Sequence, residues 1–204
     1  MNNIEPLLFK IEILQQNALN GDGLSAYILG RSYFSSENGA LCDYSKAFEW
    51  YKYGGDKLQD VRCIYGMAIC YDDGVGILEK DSQRADNLFK KAYEPLKEMA
   101  QQGDPFSMFI LGAYYFYGFA DVEQDNKKAF ETIYSSAQLG HLAGIYDIGT
   151  FYHNGIGVDI DFEKSKKYLT LAASAGLERA KQKLKDWEND YKIKGKVGKK
   201  WVIY

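Results

Sequence analysis

No apolar run in the 204-residue sequence approaches the roughly 20 residues needed to cross a bilayer. The first residues, Met1-Asn2-Asn3-Ile4-Glu5-Pro6, lack the basic stretch and apolar segment of a secretory signal. Both absences point to a cytoplasmic protein with no membrane partner. Cysteine is scarce, with three in the chain. Cys63 and Cys70 stand on one expected helix, where the helical rise separates their α-carbons by about 10.5 Å, beyond the ~4.4–6.8 Å of a disulfide. Cys42 is left over, so no disulfide framework is visible and a reducing compartment fits.

Histidine is scarcer still. His141 and His153 belong to no HExxH pattern and no Cys/His ligand spacing, and His141, at a repeat junction, is expected at the surface. Asp72-Asp73 are adjacent carboxylates, but neighbours on a helix point apart, so they are expected to end a helix and cap the turn at Gly74. Gly74-Val75-Gly76 and Gly155-Ile156-Gly157 are not phosphate loops, because no strand precedes them and no Gly-Lys-Ser/Thr follows. No acid–base, nucleophile or metal constellation emerges. The expectation is a non-enzyme with no catalytic residue, no metal and no cofactor.

Charge is unevenly spread. The net charge is −3, yet residues 192–204 hold five lysines and no acid, which leaves −8 on residues 1–191. An acidic body argues against a nucleic-acid partner and favours a basic protein partner steered by the field of the body.

What the chain does have is a large apolar fraction, 46% against 26% charged, enough for a sizeable core, and a repeat. Leu29-Gly30-Arg31-Ser32-Tyr33 recurs as Leu111-Gly112-Ala113-Tyr114-Tyr115 and Ile148-Gly149-Thr150-Phe151-Tyr152, with a weaker copy at Met67-Ala68-Ile69-Cys70-Tyr71. Glycine follows the tyrosine at Gly74, Gly118 and Gly155. A second block opens with aspartate at Asp43, Asp81, Asp125 and Asp161, each followed four positions on by Ala47, Ala85, Ala129 or Ser165. Two apolar-periodic segments joined by a glycine turn make a helix–turn–helix unit. Aspartate caps the second helix, and the small residues Gly30, Ala68, Gly112 and Gly149 let helices approach closely.

The pattern predicts an all-α, right-handed α/α superhelix, a solenoid of about four repeats at 21–58, 59–103, 104–140 and 141–176. Residues 7–19 form a leading half-repeat helix, and residues 177–191 a polar capping helix. The second repeat carries an insertion near Pro95, which is expected to kink or split its helix. Residues 192–204 form a basic and aromatic tail.

These blocks resemble the Sel-one-like repeat family, relatives of the tetratricopeptide repeat. The stretch from Gly140 to Gly149, then Tyr152, Gly155, Gly157, Val158, Asp161 and Ala172-Ala173, looks like a whole repeat, and the resemblance spans roughly residues 17–190. Gly54-Gly55 stands where an alanine pair is usual, Ser165 replaces alanine, and repeat one lacks the Gly-x-Gly turn. The resemblance implies protein binding. Similar proteins serve as adaptors in protein quality control, in bacterial signalling and host interaction, and in antibacterial secretion, where some are immunity proteins. Cysteine-rich relatives have been linked to β-lactamase activity, but their regular cysteine pairs are missing here and nothing transfers.

In such a solenoid the first helix of each repeat lines the concave face. Helical spacing puts Leu24, Tyr27, Arg31 and Phe34 on one stripe. The matching stripes are Arg62, Tyr65, Ile69 and Asp72; then Phe106, Phe109, Ala113 and Phe116, with Tyr117 beside them; then Ala143, Tyr146, Thr150 and His153. Aromatics and arginine are the types enriched at binding hot spots. The candidate groove is therefore Tyr27, Arg31, Phe34, Arg62, Tyr65, Phe109, Phe116, Tyr117, Tyr146 and His153; the competing reading is that these rings simply pack one helix on the next. Trp201 and Tyr204 are the candidate tail contacts, folding back onto the acidic solenoid or pairing two copies as a homodimer. The functional expectation is a bacterial scaffold holding a protein or peptide. Its sharper form is an immunity protein neutralising a toxin, and the alternative is an adaptor in signalling or secretion that presents a peptide.

Overall fold

The two helices of each repeat are locked together by one local device. The tyrosine that closes the first helix offers its backbone carbonyl to the N–H of the aspartate opening the second: Asp43 to Tyr33 (2.9 Å), Asp81 to Tyr71 (2.9 Å), Asp125 to Tyr115 (2.8 Å) and Asp161 to Tyr152 (2.9 Å). The same aspartate accepts from the backbone N–H three residues on, at Lys46, Arg84, Lys128 and Lys164, with 2.9–3.0 Å between heavy atoms. That residue's cationic head then sits 4.3–5.8 Å from the centre of the closing tyrosine's ring. Cap, turn and cation–π contact thus share one motif. A cap of this kind is worth about 0.5–2 kcal/mol.

The computed structural model describes residues 4–76 and 78–194. Ten α-helices run in order: α1 (Ile11–Leu19), α2 (Gly23–Ser35), α3 (Tyr44–Lys57), α4 (Val61–Asp73), α5 (Ser82–Gln101), α6 (Pro105–Tyr117), α7 (Asn126–Gln138), α8 (Leu142–Asn154), α9 (Phe162–Ser174) and α10 (Glu178–Lys194). A short 3-10 turn, Phe119–Asp121, follows α6, and the described residues contain no strand. Each helix packs on the next, so α2/α3, α4/α5, α6/α7 and α8/α9 stack into a solenoid with α1 and α10 at its ends.

First helices have caps of their own. Asp22, Asp60 and Asp104 accept from backbone N–H groups at the starts of α2, α4 and α6. At α8 the cap is His141, whose Nδ1 accepts from Gly144 N–H at 3.1 Å. Gly74, Gly118 and Gly155 close α4, α6 and α8 in the left-handed conformation. Small residues set the spacing: a methyl group built on Gly112 would overlap Ile133 of α7, and one on Gly30 would overlap the ring of Tyr51.

Three local expectations are corrected. The leading helix starts at Ile11, not Leu7. Residues 7–10 stay out of it because their backbone is used elsewhere: Leu7 N–H donates to Gly140 carbonyl oxygen (2.8 Å) and Phe9 N–H to Asn38 Oδ1 (3.4 Å). Pro95 does not split α5, which runs unbroken for 20 residues. Its buried stripe of Ala85, Phe89, Ala92, Leu96 and Ala100 continues on both sides of the proline, and this packing offsets the lost hydrogen bond. His141 is 3% exposed rather than at the surface.

Two stability changes follow. Gly112→Ala is expected to cost about 1–3 kcal/mol, because the added methyl must displace Ile133; hydrogen exchange should loosen α6 and α7 first, and uniform loosening of the whole chain would contradict this. Gln59, at the junction where repeats two and three end in Gly103 and Gly140, holds φ at +56°. Gln59→Gly relieves that left-handed strain and should raise stability by up to about 1 kcal/mol in a denaturant titration; a loss would contradict it.

Candidate functional site

The first helices turn one face inward, and the solenoid curls tightly enough for those faces to meet. Tyr27 of α2 lies 6.2 Å, edge-on, from Phe106 of α6, and the Arg31 guanidinium stands 4.9 Å from the Phe109 ring. These contacts skip a whole repeat. At the far end Arg179 of α10 comes within 3.5 Å of Glu37, in the loop after α2, and Glu37 also binds Arg31 at 2.7 Å. Glu37, 7% exposed, therefore joins the first repeat to the capping helix. The segment before α1 adds a second tie, with Phe9 6.1 Å from Phe106.

The curl encloses a cavity of about 520 Å³. Tyr27, Arg31, Phe34, Tyr65, Phe109, Phe116 and Tyr117 all line it, so seven of the ten candidate groove residues are brought together. Their exposure differs. Tyr27, Tyr65 and Phe109 are buried, and Tyr65 also packs on Phe89 and Tyr114, so these three serve as core and wall at once. Tyr117 is 59% exposed at the cavity rim, edge-on to Phe116 at 4.8 Å and stacked on Phe119 at 5.2 Å.

The other three lie elsewhere. Arg62 pairs with Asp60 (2.6 Å) and reaches Asp104 (3.4 Å), tying together the caps of α4 and α6. Tyr146 lies under the Arg179 guanidinium at 4.4 Å. His153 packs on Trp187 and Phe162, at 5.0 and 5.5 Å, joining α8 to α9 and α10. Trp201 and Tyr204, with the expected tail docking, lie outside the described residues.

Several lining groups had not been assigned to the groove from the sequence: Phe119, Asp147, Phe151, Arg179 and Asp73, the last expected only to end a helix and cap the turn at Gly74. Asp147 carried a signal, because it occupies the register of Ile28 and Ile110, two residues before the glycine of the repeat motif. A carboxylate in place of a core isoleucine marks a departure from packing. Glu37 and Arg179 carried none, since they meet only through closure of the superhelix.

The cavity's charges are divided. Burial works against the Arg31 charge, but Glu37 and the nearby tyrosines outweigh it and hold the guanidinium well above its ordinary pKa. Burial pushes the Tyr27 hydroxyl up to about 12. Asp147, half-buried, is raised by desolvation despite Arg179 and Arg31 nearby. Around Tyr117 the sign is negative: its hydroxyl is raised by burial and then by Asp147 and Asp73. No three His, Cys, Asp or Glu side chains gather in a metal-holding group among the described residues, and none of the helices there is long and apolar enough to cross a membrane.

Comparison with known proteins places the repeats. The Sel1 repeat family model matches residues 23–57, 61–94, 105–141 and 142–177. No curated protein sequence matches the chain. Among solved structures, a Sel1 repeat protein from Oxalobacter formigenes is 25% identical, with a TM-score of 0.43 over 87% of this chain and 48% of its own. A protective antigen of uropathogenic Escherichia coli strains displaying an SLR fold is 24% identical, with a TM-score of 0.45 over 86% of this chain and 35% of its own. A putative Sel1 repeat protein from Klebsiella pneumoniae is 19% identical, with a TM-score of 0.44 over 86% of this chain and 82% of its own. The chain thus spans about half and about a third of the first two.

The buried cap at His141 makes stability depend on pH. Desolvation, reinforced by Arg31 and Arg179, holds this imidazole well below its ordinary value of 6.5. The unfolded chain therefore takes up a proton below that pH while the folded one does not, and stability is lost as pH falls from about 6.5, by up to ~1.4 kcal/mol per pH unit. His141→Asn keeps a capping acceptor and should flatten this slope relative to wild type in denaturation midpoints between pH 7 and pH 5 (a range about the usual histidine value). Parallel slopes would show that His141 is not the group responsible.

Proposed function

Taking as premise that the chain belongs to the Sel1 repeat family, we propose that it is a non-enzymatic scaffold that holds a partner polypeptide in the cavity inside its curl. Sel1 repeats generally mediate protein–protein interactions. One observation carries the reading: all four first helices direct side chains into a single cavity of about 520 Å³, rimmed by an exposed Tyr117. Aromatic walls offer large contact area at low entropic cost, and the largely buried Arg31 and the partly exposed Arg179 supply polar specificity.

Two settings use such a surface, both with a cytoplasmic bacterial protein. In one the chain is an immunity protein that neutralises a toxin; in the other it is an adaptor presenting a peptide in signalling or secretion. The neighbourhood of the gene separates them. A toxin reading frame beside it favours immunity, and a kinase or secretion operon favours the adaptor. The tail, in this reading, folds back on the solenoid or pairs two copies, which light scattering of a chain lacking residues 196–204 would test.

The cavity itself is tested on a partner identified by pull-down and mass spectrometry. Tyr117→Ala should weaken that partner by about 1–3 kcal/mol and leave the melting temperature unchanged, since the ring is largely exposed. Arg31→Ala should weaken binding and lower stability together, because it leaves the buried Glu37 with Arg179 alone, at 3.5 Å in place of the 2.7 Å contact. Unchanged affinity in a normally stable Tyr117→Ala variant would rule out this surface.

A further inference from the structure

We propose that the inner end of the cavity is a receptor for one neutral carboxamide, a glutamine or asparagine side chain of the partner polypeptide. Its carbonyl accepts from the Arg179 guanidinium and its NH2 donates to the Asp147 carboxylate. The inference rests on the reading of the cavity as the partner surface and adds the chemistry of what enters it.

Unfilled hydrogen-bonding capacity carries the argument. A guanidinium presents its donors in its own plane, and Nε with one terminal nitrogen forms a two-donor edge. The Nε and Nη2 of Arg179 are both buried without a hydrogen-bonding partner among the described residues, and so is the Nε of Arg31. Aromatic rings already cover the flat faces: Arg179 lies 4.4 Å from the centre of the Tyr146 ring and Arg31 4.9 Å from that of Phe109. What remains open is the edge, and a buried donor left unpaired is costly. Both arginines line the cavity, and their contacts with one Glu37 oxygen, at 2.7 and 3.5 Å, hold the two groups together. Asp147 lines the cavity beside them, next in the chain to the tyrosine under Arg179. Thr150 Oγ1 donates to its backbone carbonyl at 2.8 Å, and among the described residues no hydrogen bond or ion pair reaches its carboxylate.

Charge balance decides which acceptor fits. Arg31 and Arg179 face Glu37 and Asp147, two positive groups against two negative ones, and the charges felt at Asp147 are those of Arg179, Arg31 and Glu37, with Arg179 foremost. The rim carboxylates Asp72 and Asp73 have Lys80 near them. A carboxylate brought to the Arg179 edge would lie against Glu37, whose oxygen is 3.5 Å from that Nη2, and against Asp147. An ammonium or guanidinium would meet Arg31 and Arg179. Either leaves a net charge in a desolvated place. An amide adds none: its carbonyl oxygen has two lone pairs for the two N–H groups of the edge, and its NH2 supplies donors to the carboxylate. An apolar side chain would fill the same space and leave both groups unpaired, an unfavourable outcome.

The test uses the full chain, isotope-labelled, and four capped pentapeptides that differ only in a central glutamine, glutamate, lysine or methionine. The Arg179 Nε–H signal and the Asp147 backbone amide are followed during titration. The expected result is that the glutamine peptide shifts both signals and binds about fivefold more tightly than the other three, the size of one net hydrogen bond. Arg179→Lys keeps the charge beside Glu37 but removes the two-donor edge, and should abolish that preference. Asp147→Asn leaves the group with one positive charge in excess, and should move the preference to glutamate. The Arg179 variant keeps the test decisive if Asp147→Asn disturbs the interior. Preference of the unaltered chain for glutamate, lysine or methionine overturns the carboxamide assignment and leaves the cavity standing as a binding surface. Equal response to all four, or a glutamine preference that survives either substitution, does the same. No response to any of them overturns the carboxamide assignment and counts against the cavity reading as well.

Discussion

The architecture depends on the hydrogen bond between the closing tyrosine's carbonyl and the opening aspartate's N–H. It recurs in all four repeats with a heavy-atom distance between 2.8 and 2.9 Å. It fixes where the second helix starts relative to the end of the first, and the aspartate side chain then caps that second helix. Once the turn is fixed, the small residue in the middle of the first helix faces the second helix, as Gly30 faces Tyr51 and Gly112 faces Ile133. The opposite face of each first helix is left to point inward. Orientation of the binding stripe is thus a by-product of how the hairpin is locked.

Inward-pointing rings then decide the overall curl. In an open solenoid each repeat touches only its neighbours. Here Tyr27 and Arg31 reach past the second repeat to Phe106 and Phe109, and Glu37 reaches Arg179 in the capping helix. Each aromatic contact adds about 0.5–1.5 kcal/mol beyond its buried area, whereas the Arg31–Glu37–Arg179 group, being buried, adds specificity of closure more than net stability. The result is a cavity in which Arg31 and Arg179 share Glu37, while Arg31 Nε and the Nε and Nη2 of Arg179 are buried without a hydrogen-bonding partner among the described residues. Rings that line it are partly core, so the two readings of the aromatic stripe, groove or packing, are true of different residues. Tyr65 and Phe109 do both, and Tyr117 alone among the candidates is largely exposed.

Most of the fold was legible in the sequence because it is written in short-range rules. The Leu-Gly-x-x-Tyr block, the aspartate after it and the turn glycines each specify a local geometry, and stacking repeats those geometries along the chain. The lysine or arginine three residues after each aspartate belongs to the same motif and was visible, yet its meaning depends on the ring it covers. The site was less legible. Helical periodicity identified the stripe on each first helix, but periodicity on one helix does not say how far the superhelix curls. Arg62 shows the limit: it falls on the stripe, and the caps at Asp60 and Asp104 draw it aside. His141 was misplaced because its role as a cap appears only when the other three repeats are seen to use aspartate there. Glu37 and Arg179, far apart in the chain, have no sequence signature at all.

The central claim is that the first repeat closes over the interior to meet the third repeat and the capping helix. Nuclear Overhauser effects from the Tyr27 ring to the Phe106 ring, and from the Arg31 side chain to the Phe109 ring, measure this directly in solution. Closure predicts both, alongside contacts between adjacent helices such as Phe48 with Tyr71. If the adjacent-helix contacts are observed and both cross-interior contacts are missing, the superhelix is open and the enclosed cavity does not exist.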